Sequence, residues 1–366
     1  LPYHFIPGEP LENVEYAEKM RRDLNSEMLW SGRIKMFIDG VLDGYTAWRL
    51  DDYPDRPGEK GEPLHDPERL KELVTEFDRR GFQVSVHAIG DGAVRGVLDA
   101  YEAARTANGA RDSRHRIEHI EMIAAEDIPR IAELGAVASL NPPHVPGSSD
   151  FPMQPTMDLI GKDHWALSYP WKTLADAGAP VCFSSDWPVA VLPPLKGMEM
   201  ALNRAPFSAV TPDERLGFDA TLAAYTTGGG YAARKDETLG RLAPGMAADV
   251  VVLDRVLTAE NAGAAQVLFG FVDGVLAVVK DRGGEHGVGA AFGEAVHQVV
   301  ELANATGCDD RNAHRIRDEA GELELVALAG AVAIHRGEQE LAGSVVRHLL
   351  APLEPIDALG GAAAVT

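Results

Sequence analysis

The stretch FQVSVHA, residues 82–88, is an apolar run that places a histidine at the end of a predicted strand and precedes a helical pattern. The same combination recurs where His119 closes RIEH (residues 116–119) and where Asp186 closes PVCFSSD (residues 180–186). In a (β/α)₈ barrel, strands that are distant in sequence end side by side around one mouth, at the C-terminal face. We therefore expect the three side chains to converge there, as the ligands of a catalytic metal would.

Strand-like and helical patterns alternate between residues 33 and 185, with short connections. This alternation predicts parallel strands joined by right-handed crossovers, the α/β architecture of a partial TIM barrel. The predicted strands are 33–39, 82–87, 115–119, 136–140 and 180–185, and the predicted helices are 12–31, 66–81, 92–107, 125–134 and 170–177. His87 and His119 are 32 residues apart, about one βα unit, so we expect them on adjacent strands.

Three further patterns concern the connections. Residues 51–67 are rich in Pro, Gly and Asp, and this long loop is predicted to be a flap over the mouth. The sequence TPDE (residues 211–214) predicts a capping box with proline at the first helical position, beginning a helix that runs to about Thr227. Asp273 and Gly274 lie between two strand-like runs and predict a β-hairpin.

Composition excludes several kinds of partner. A net charge of −22 argues against binding to nucleic acid or to an anionic membrane surface, because both would repel the protein. Two cysteines cannot form a disulfide framework, and Cys182 is predicted to be a buried thiol in an apolar strand. No apolar run reaches the length of a membrane helix, and no signal-peptide pattern is seen. We expect a cytoplasmic protein with a small-molecule substrate, and a homo-oligomer is compatible with the sequence.

Seven strings in a fixed order carry a family resemblance. The strings are IKMFIDG, SVHAIGDGAV, RHRIEHIEMIAAEDIPRIAELG, SLNPPH, AGAPVCFSSDWPV, AAYTTGGGYAA and GRLAPGMAADVVVLD. Together they resemble the C-terminal two-thirds of an amidohydrolase family 3 protein, over residues 30 to 280. This resemblance implies a distorted, metal-bearing TIM barrel with a β-sandwich, which hydrolyses carbon–nitrogen bonds of amide-like compounds.

The resemblance also assigns site residues. It implies His87 and His119 as metal ligands from strands five and six, and Asp186 as the aspartate of strand eight. Lys35 falls at the strand-four position, where a carboxylated lysine bridges two metals in many relatives. One or two divalent ions are implied, with Zn²⁺ as the expected metal.

The chemistry of such a site asks for the same residue types. Zn²⁺ prefers neutral imidazole and carboxylate, and in an open site its bound water has a pKa near 7. Asp186 beside that water could accept its proton and pass it to the departing amine. Each histidine taken alone could equally be a hydrogen-bonded core residue. Lys35 could equally be an ion-paired lysine at a strand end.

Other candidates remain open between two roles. His144, in the string NPPH, could orient substrate or stabilise its loop, and Trp187 could contact substrate at the mouth or pack against its wall. Asp91 could cap the helix that follows it or support His87. Tyr45 stands where the resembled family commonly has an arginine.

The expected domain organisation has three parts. Residues 1–235 are predicted to form an incomplete hydrolase barrel (strands four to eight), residues 236–282 a small β-domain segment, and residues 283–366 an atypical tail that is disordered or out of frame. We expect the tail to pack weakly and to be dispensable, although residues 292–305 could form one amphipathic helix.

The lack of an H-x-H pair in the sequence leaves three functional hypotheses open. No H-x-H pair occurs among the twelve histidines, although the resembled family has one on its first strand. The chain could therefore be a fragment of an active hydrolase whose first strands precede Leu1, or a catalytically inactive remnant. A third possibility is a module that binds a metal or a small molecule without turnover.

Overall fold

The computed structural model describes residues 1–26, 29–148, 150–247, 249–272, 275–277, 314–317, 323–328 and 331–336. The chain divides into two compact units. The first consists of Leu1–Gly240 and Leu257–Ala265, and the second of Arg241–Val256 and the described residues from Gln266 onward. Among the residues described, no helix is both long and apolar enough to cross a membrane.

The first unit is built on a six-stranded parallel sheet whose strands follow one another in chain order. The strands are β1 (Pro2–His4), β2 (Arg33–Phe37), β3 (Gln83–Ala88), β4 (Arg116–His119), β5 (Val137–Leu140) and β6 (Val181–Phe183). This order, with helices in the connections, is the α/β architecture of a partial TIM barrel of the predicted kind. The carboxyl ends of all six strands therefore lie at one edge of the sheet.

Helices occupy the connections and follow the last strand. They are α1 (Val14–Asp23), α2 (Pro67–Arg79), α3 (Asp91–Asn108), α4 (Ile128–Leu134), α5 (Thr156–Ile160), α6 (Trp171–Asp176), α7 (Pro194–Asn203), α8 (Phe218–Tyr225) and α9 (Thr227–Ala232). Helix α2 shows how the sequence specifies one of them. Asp66 accepts hydrogen bonds from the backbone N–H groups of Glu68 and Arg69, Pro67 occupies the first turn, and apolar side chains at helical spacing are buried.

Several observed elements of the first unit differ from the predicted ones. Strand β1 was not predicted, because three residues that include a proline carry no alternating apolar pattern. Helix α1 ends at Asp23, eight residues before the predicted end. Helix α7 was not predicted at all. The long loop predicted after β5 contains the short helix α5.

The predicted capping box at residues 211–214 is wrong. No helix begins there, and α8 begins at Phe218. The carboxylate of Glu214 instead accepts hydrogen bonds from the backbone N–H of Thr173, at 2.9 Å, and from its hydroxyl, at 2.5 Å. Glu214 is buried by this contact with α6, so its side chain cannot satisfy a helix start in its own segment.

The second unit contains two antiparallel sheets. Strands β7 (Val250–Leu253), β8 (Val267–Val272) and β9 (Val275–Ala277) form one sheet, in which Val272 pairs with Val275. The predicted turn residues 273 and 274 lie outside the described residues. Strands β10 (His314–Arg317), β11 (Leu323–Leu328) and β12 (Ala331–Arg336) form the other sheet.

These last strands correct one expectation about the tail, for which no regular structure was predicted apart from one local helix. The segments LELVAL and AVAIHR are rich in the aliphatic residues that favour paired strands, a signal that the scattered charges around them obscured. The possible helix at residues 292–305 lies outside the described residues.

A buried carboxylate ties α2 to the segment that follows α3. Asp78 accepts hydrogen bonds from the Asn108 amide at 2.8 Å and from the Ser113 hydroxyl at 2.6 Å, and it pairs with Arg111. The Nε2 atom of His115 lies 3.2 Å from the same carboxylate. Burial alone would raise the pKa of Asp78, but the hydrogen bonds from His115, Ser113 and Asn108 outweigh it and hold the pKa well below its usual value.

Replacing Asp78 with alanine is expected to lower the free energy of unfolding by about 3 kcal/mol, because the buried His115 and the half-buried Asn108 and Ser113 lose a buried acceptor. Since the pKa is lowered in the folded state, this contribution is present above the unfolded-state value of about 3.9 and is lost as pH falls below it. Urea unfolding of both proteins at pH 7 and pH 3 measures the difference. Asp99→Ala, which removes an exposed partner of Arg130, is the control and should cost less than about 1 kcal/mol. A loss of that size at Asp78 would contradict the prediction.

Candidate metal site

Four side chains with metal-binding chemistry lie at the carboxyl ends of consecutive strands. His87 is the penultimate residue of β3, and His119 is the last residue of β4. His144 ends a short 3₁₀ helix, Pro142–His144, that follows β5. Asp186 lies three residues beyond the end of β6. Because the strands are parallel and adjacent, the four groups are brought to one edge of the sheet.

Three of these residues form a compact donor group. One potential ligand atom from each of His119, His144 and Asp186 lies within 4.8 Å of the others. The rings of His119 and His144 are stacked, with centroids 5.8 Å apart. The ring of His87 is next to that of His119, with centroids 4.4 Å apart, but His87 is not a member of the three-residue group.

Backbone conformation at this edge is unusual. His119, Ile120 and Asp186 have φ angles of 80°, 49° and 54°, in the left-handed region that residues other than glycine seldom adopt. The backbone N–H of Ile120 donates to the Ala88 carbonyl at 3.1 Å, which ties the turn to β3. Residues with such backbone conformations cluster at functional sites, where the conformation orients a functional side chain.

Hydrogen bonds fix the orientation of two imidazoles. The Nε2–H of His87 donates to the Gly40 carbonyl at 2.9 Å, and the Nε2–H of His144 donates to the Ser185 carbonyl at 3.2 Å. Since a carbonyl only accepts, each ring keeps the lone pair of its Nδ1 atom. The Nδ1 atom of His119 is buried and has no hydrogen-bond partner among the described residues. A buried nitrogen without a hydrogen-bond partner costs free energy of folding, so this atom is suited to coordinate a metal ion.

Burial keeps the three histidines neutral. It lowers the pKa of His87 and of His144 to about 4, and it lowers that of His119 well below the ordinary value. Metal ions bind the neutral imidazole, so at neutral pH these rings need not lose a proton first. Partial loss of solvent around its carboxyl group raises the pKa of Asp186, although the residue as a whole is exposed, and the positive charge of Lys35 opposes the rise. The donor set of imidazole nitrogens and one carboxylate fits Zn²⁺ or a similar divalent ion.

Lys35 lies beneath this group on β2. Burial lowers its pKa to about 8, although Glu118 and Asp186 attract its positive charge. Glu118 is itself paired with Arg116 at 3.0 Å, and the pKa of this buried carboxyl is lowered to about 2 because Arg116 and Lys35 outweigh its burial. Glu118 of β4 is therefore the carboxylate that most opposes the loss of the positive charge of Lys35, while Arg116 of the same strand favours that loss.

A residue that the sequence did not single out as part of the site joins the ends of β2 and β3. The buried carboxylate of Asp39 accepts hydrogen bonds from the backbone N–H groups of Trp48, Ile89 and Gly90, at 3.0, 3.1 and 2.9 Å. It also lies 3.6 Å from the Nε2 atom of His87. Burial raises the pKa of Asp39 to about 7, although these hydrogen bonds oppose the rise. Its position at the end of the predicted strand 33–39 was the signal that could have identified it.

The remaining predicted residues surround the donor group. Trp187 is 65% exposed, next to Asp186. Asp91 begins α3 and accepts hydrogen bonds from the backbone N–H groups of Leu50 and Gly92, so it anchors the residue before the loop of residues 51–67 rather than His87. Tyr45 donates to Asp55 of this loop at 2.7 Å. The donor group thus includes His144, which the sequence had suggested as a substrate contact.

Comparison with known proteins gives matches of sequence and of fold. The model of the amidohydrolase family matches residues 1–281. Protein LONG AFTER FAR-RED 3 from Arabidopsis thaliana is 38% identical over 232 residues, which cover 62% of this chain and 39% of that protein. N-substituted formamide deformylase from Arthrobacter pascens is 28% identical over 280 residues, which cover 75% of this chain and 50% of that protein.

Among the solved structures that match is that of an uncharacterized metal-dependent hydrolase from Pyrococcus furiosus, with a TM-score of 0.53 and 27% identity over 63% of this chain and 46% of that chain. This chain spans half or less of the length of these three proteins.

Proposed function

This chain belongs to the amidohydrolase family, and from that membership we propose that it acts as a metal-dependent hydrolase on a carbon–nitrogen bond, other than a peptide bond, of an amide-like small molecule. The observation that carries the proposal is the group of His119, His144 and Asp186, whose potential ligand atoms lie within 4.8 Å of one another. The resemblance to a protein named as an N-substituted formamide deformylase supports an amide-like substrate.

We assign metal binding and proton transfer to different residues of the site. His119, His144 and Asp186 would hold a divalent ion, with His87 and Lys35 contributing from the adjacent strands. When bound, such an ion supplies a water molecule of lowered pKa and stabilises negative charge on the substrate oxygen. Asp186 would accept the proton of the attacking water and return it to the departing nitrogen. The raised pKa of Asp186 suits a group that must both take up and release a proton.

The other site residues would position these groups. The Ser185 carbonyl fixes the ring of His144, and the Gly40 carbonyl fixes the ring of His87. These hydrogen bonds would keep the Nδ1 lone pairs of both rings pointed in a fixed direction while substrate binds and product leaves. Hydrogen bonds to the ligands of metal sites generally have this effect. Trp187, exposed beside Asp186, would form an apolar wall for the substrate. A cytoplasmic location and self-association stay predictions from the sequence.

Hydrolysis assays with controlled metal content test the proposal. Purified protein is freed of metal with a chelator, reloaded with Zn²⁺ and assayed on a series of N-substituted formamides and acetamides. We expect hydrolysis that disappears with the chelator and returns with the metal. Retained metal without turnover of any compound would favour a binding module instead. Faster hydrolysis of dipeptides than of simple amides would contradict the assigned bond type.

We further propose that Lys35 adds CO₂ and then binds metal as a carbamate. A lysine with a pKa of about 8 has a reactive neutral fraction at neutral pH, and the amine needs that form to add CO₂. Lys35→Met is expected to lower the number of metal ions bound per chain. Metal analysis in the presence of bicarbonate measures this, and Lys60→Met, in the flap, is the control. Equal metal content in the Lys35 variant and the unmodified protein would exclude a bridging lysine.

A further inference from the structure

Cationic side chains surround a cavity at the edge of the sheet opposite to the donor group. It has a volume of about 310 Å³ and lies where β2 and β3 begin. Arg21, Arg33, Arg234 and Lys235 line it, and no carboxylate is among its lining residues. All of these residues belong to the first unit.

Arg33, the first residue of β2, is the decisive member. Its Nε atom is buried and has no hydrogen-bond partner among the described residues. Burial and the positive charge of Arg116 both lower its pKa, although Glu118 partly opposes them. The Nε atoms of Arg49, Arg116 and Arg204 are likewise buried without a partner, but terminal nitrogens of these three donate to acceptors, whereas the Arg33 guanidinium makes no hydrogen bond among the described residues. A buried guanidinium left without an acceptor is costly, so Arg33 fits a site completed by a ligand.

The positive charges of Arg21, Arg234 and Lys235 are not paired with a carboxylate among the described residues. One guanidinium nitrogen of Arg21 donates to the Arg80 carbonyl at 3.1 Å, and the group lies over the ring of Phe82. The ammonium group of Lys235 lies 4.8 Å from the centre of the Trp30 ring. Within the described residues, neither these two nor Arg234 has a carboxylate partner in an ion pair. In a chain with 56 acidic and 34 basic residues, four such cations around one cavity are unexpected.

We propose that this cavity binds the phosphate group of a small molecule. A guanidinium group donates paired hydrogen bonds to two phosphate oxygens. The four positive side chains together more than offset the two negative charges of a phosphate group. The volume is at the lower end of the range for small-molecule pockets, which suits a compact anion. The net charge of −22 disfavours a polyanion such as nucleic acid, because the rest of the surface would repel it.

Binding is tested by titrating the full chain with inorganic phosphate or with glycerol phosphate at constant ionic strength, adjusted with NaCl. Calorimetry gives the dissociation constant, and the thermal midpoint reports stabilisation of the folded state. Tighter binding of glycerol phosphate would identify a phosphate ester as the ligand, and tighter binding of inorganic phosphate would identify the free ion. No binding of either compound would overturn the proposal.

Variants place the binding in this cavity. Arg33→Met keeps the length of the side chain without its charge, and Arg234→Gln changes the cavity without touching the buried strand. Each is expected to weaken phosphate binding by about tenfold or more, as the loss of a charge-assisted hydrogen bond would. Arg22→Gln removes a charge from the same helix as Arg21, but outside the cavity, and should leave binding unchanged.

Phosphate could also bind to a metal ion at the other end of the strands, and the variants separate the two places. Binding there would survive both Arg33→Met and Arg234→Gln, and that outcome would overturn the proposal. If Arg33→Met fails to fold, Arg234→Gln alone decides, because its side chain is not part of the buried sheet.

Discussion

Asp186→Asn is expected to lower kcat for amide hydrolysis by about 10² or more, the usual loss when a general acid–base group is removed. Asparagine keeps the shape of the side chain and one carbonyl oxygen, but it cannot accept a proton from water. Because Asp186 is exposed, the change should disturb packing little. Steady-state kinetics give kcat and KM, and metal analysis of the same samples shows whether the donor group still binds its ion.

The control for this variant is Asp176→Asn, which removes one member of an exposed pair with Lys172 on α6. Its kcat should stay within about twofold of the unmodified protein, since exposed pairs contribute little. An unchanged kcat in Asp186→Asn would remove Asp186 from proton transfer. Loss of metal together with activity would assign Asp186 to metal binding alone.

His119→Ala is expected to have the larger effect, with bound metal reduced by about tenfold or more and activity reduced by about 10³ or more. Its ring lies between those of His87 and His144, so alanine removes the central member of the row. Zn²⁺ should raise the thermal midpoint of the unmodified protein and leave that of the variant unchanged, because only a bound ligand stabilises the folded state.

Loss of folding could imitate loss of metal, so the variant needs two checks. The circular dichroism spectrum of His119→Ala should match that of the unmodified protein. His164→Ala, which removes a half-buried histidine paired with Asp51 in the flap, is the matched control and should keep its metal. Equal metal content in His119→Ala and the unmodified protein would exclude His119 as a ligand.

Much of the sheet could be predicted because its signals are local. Strands β3 and β4 are short strand-like runs, each followed by a helical pattern, and the histidine near the end of each can be read directly from the sequence. Parallel order then follows from the alternation with helices. These two histidines were expected on adjacent strands, and the structure pairs β3 with β4 directly.

The parts that could not be predicted depend on partners that are distant in sequence. His144 joins the donor group because Asn141 donates to the Ser184 hydroxyl at 2.9 Å, which brings the loop after β5 to the end of β6. Nothing in the string NPPH indicates that contact. Similarly, TPDE fits a capping box locally, but Thr173 in α6 provides better donors for Glu214. Local rules fail where a tertiary contact competes for the same side chain.

Ile120 has a consequence for how far this protein can be stabilised by engineering. A β-branched residue at a φ of 49° is strained by about 1–3 kcal/mol, and a glycine or asparagine there would relieve that strain. Yet Ile120 is fully buried, so removing its side chain would cost about 2–5 kcal/mol of core packing, more than the strain that it relieves. Selection for thermostability alone is therefore expected to retain Ile120, and with it the strained backbone that follows His119.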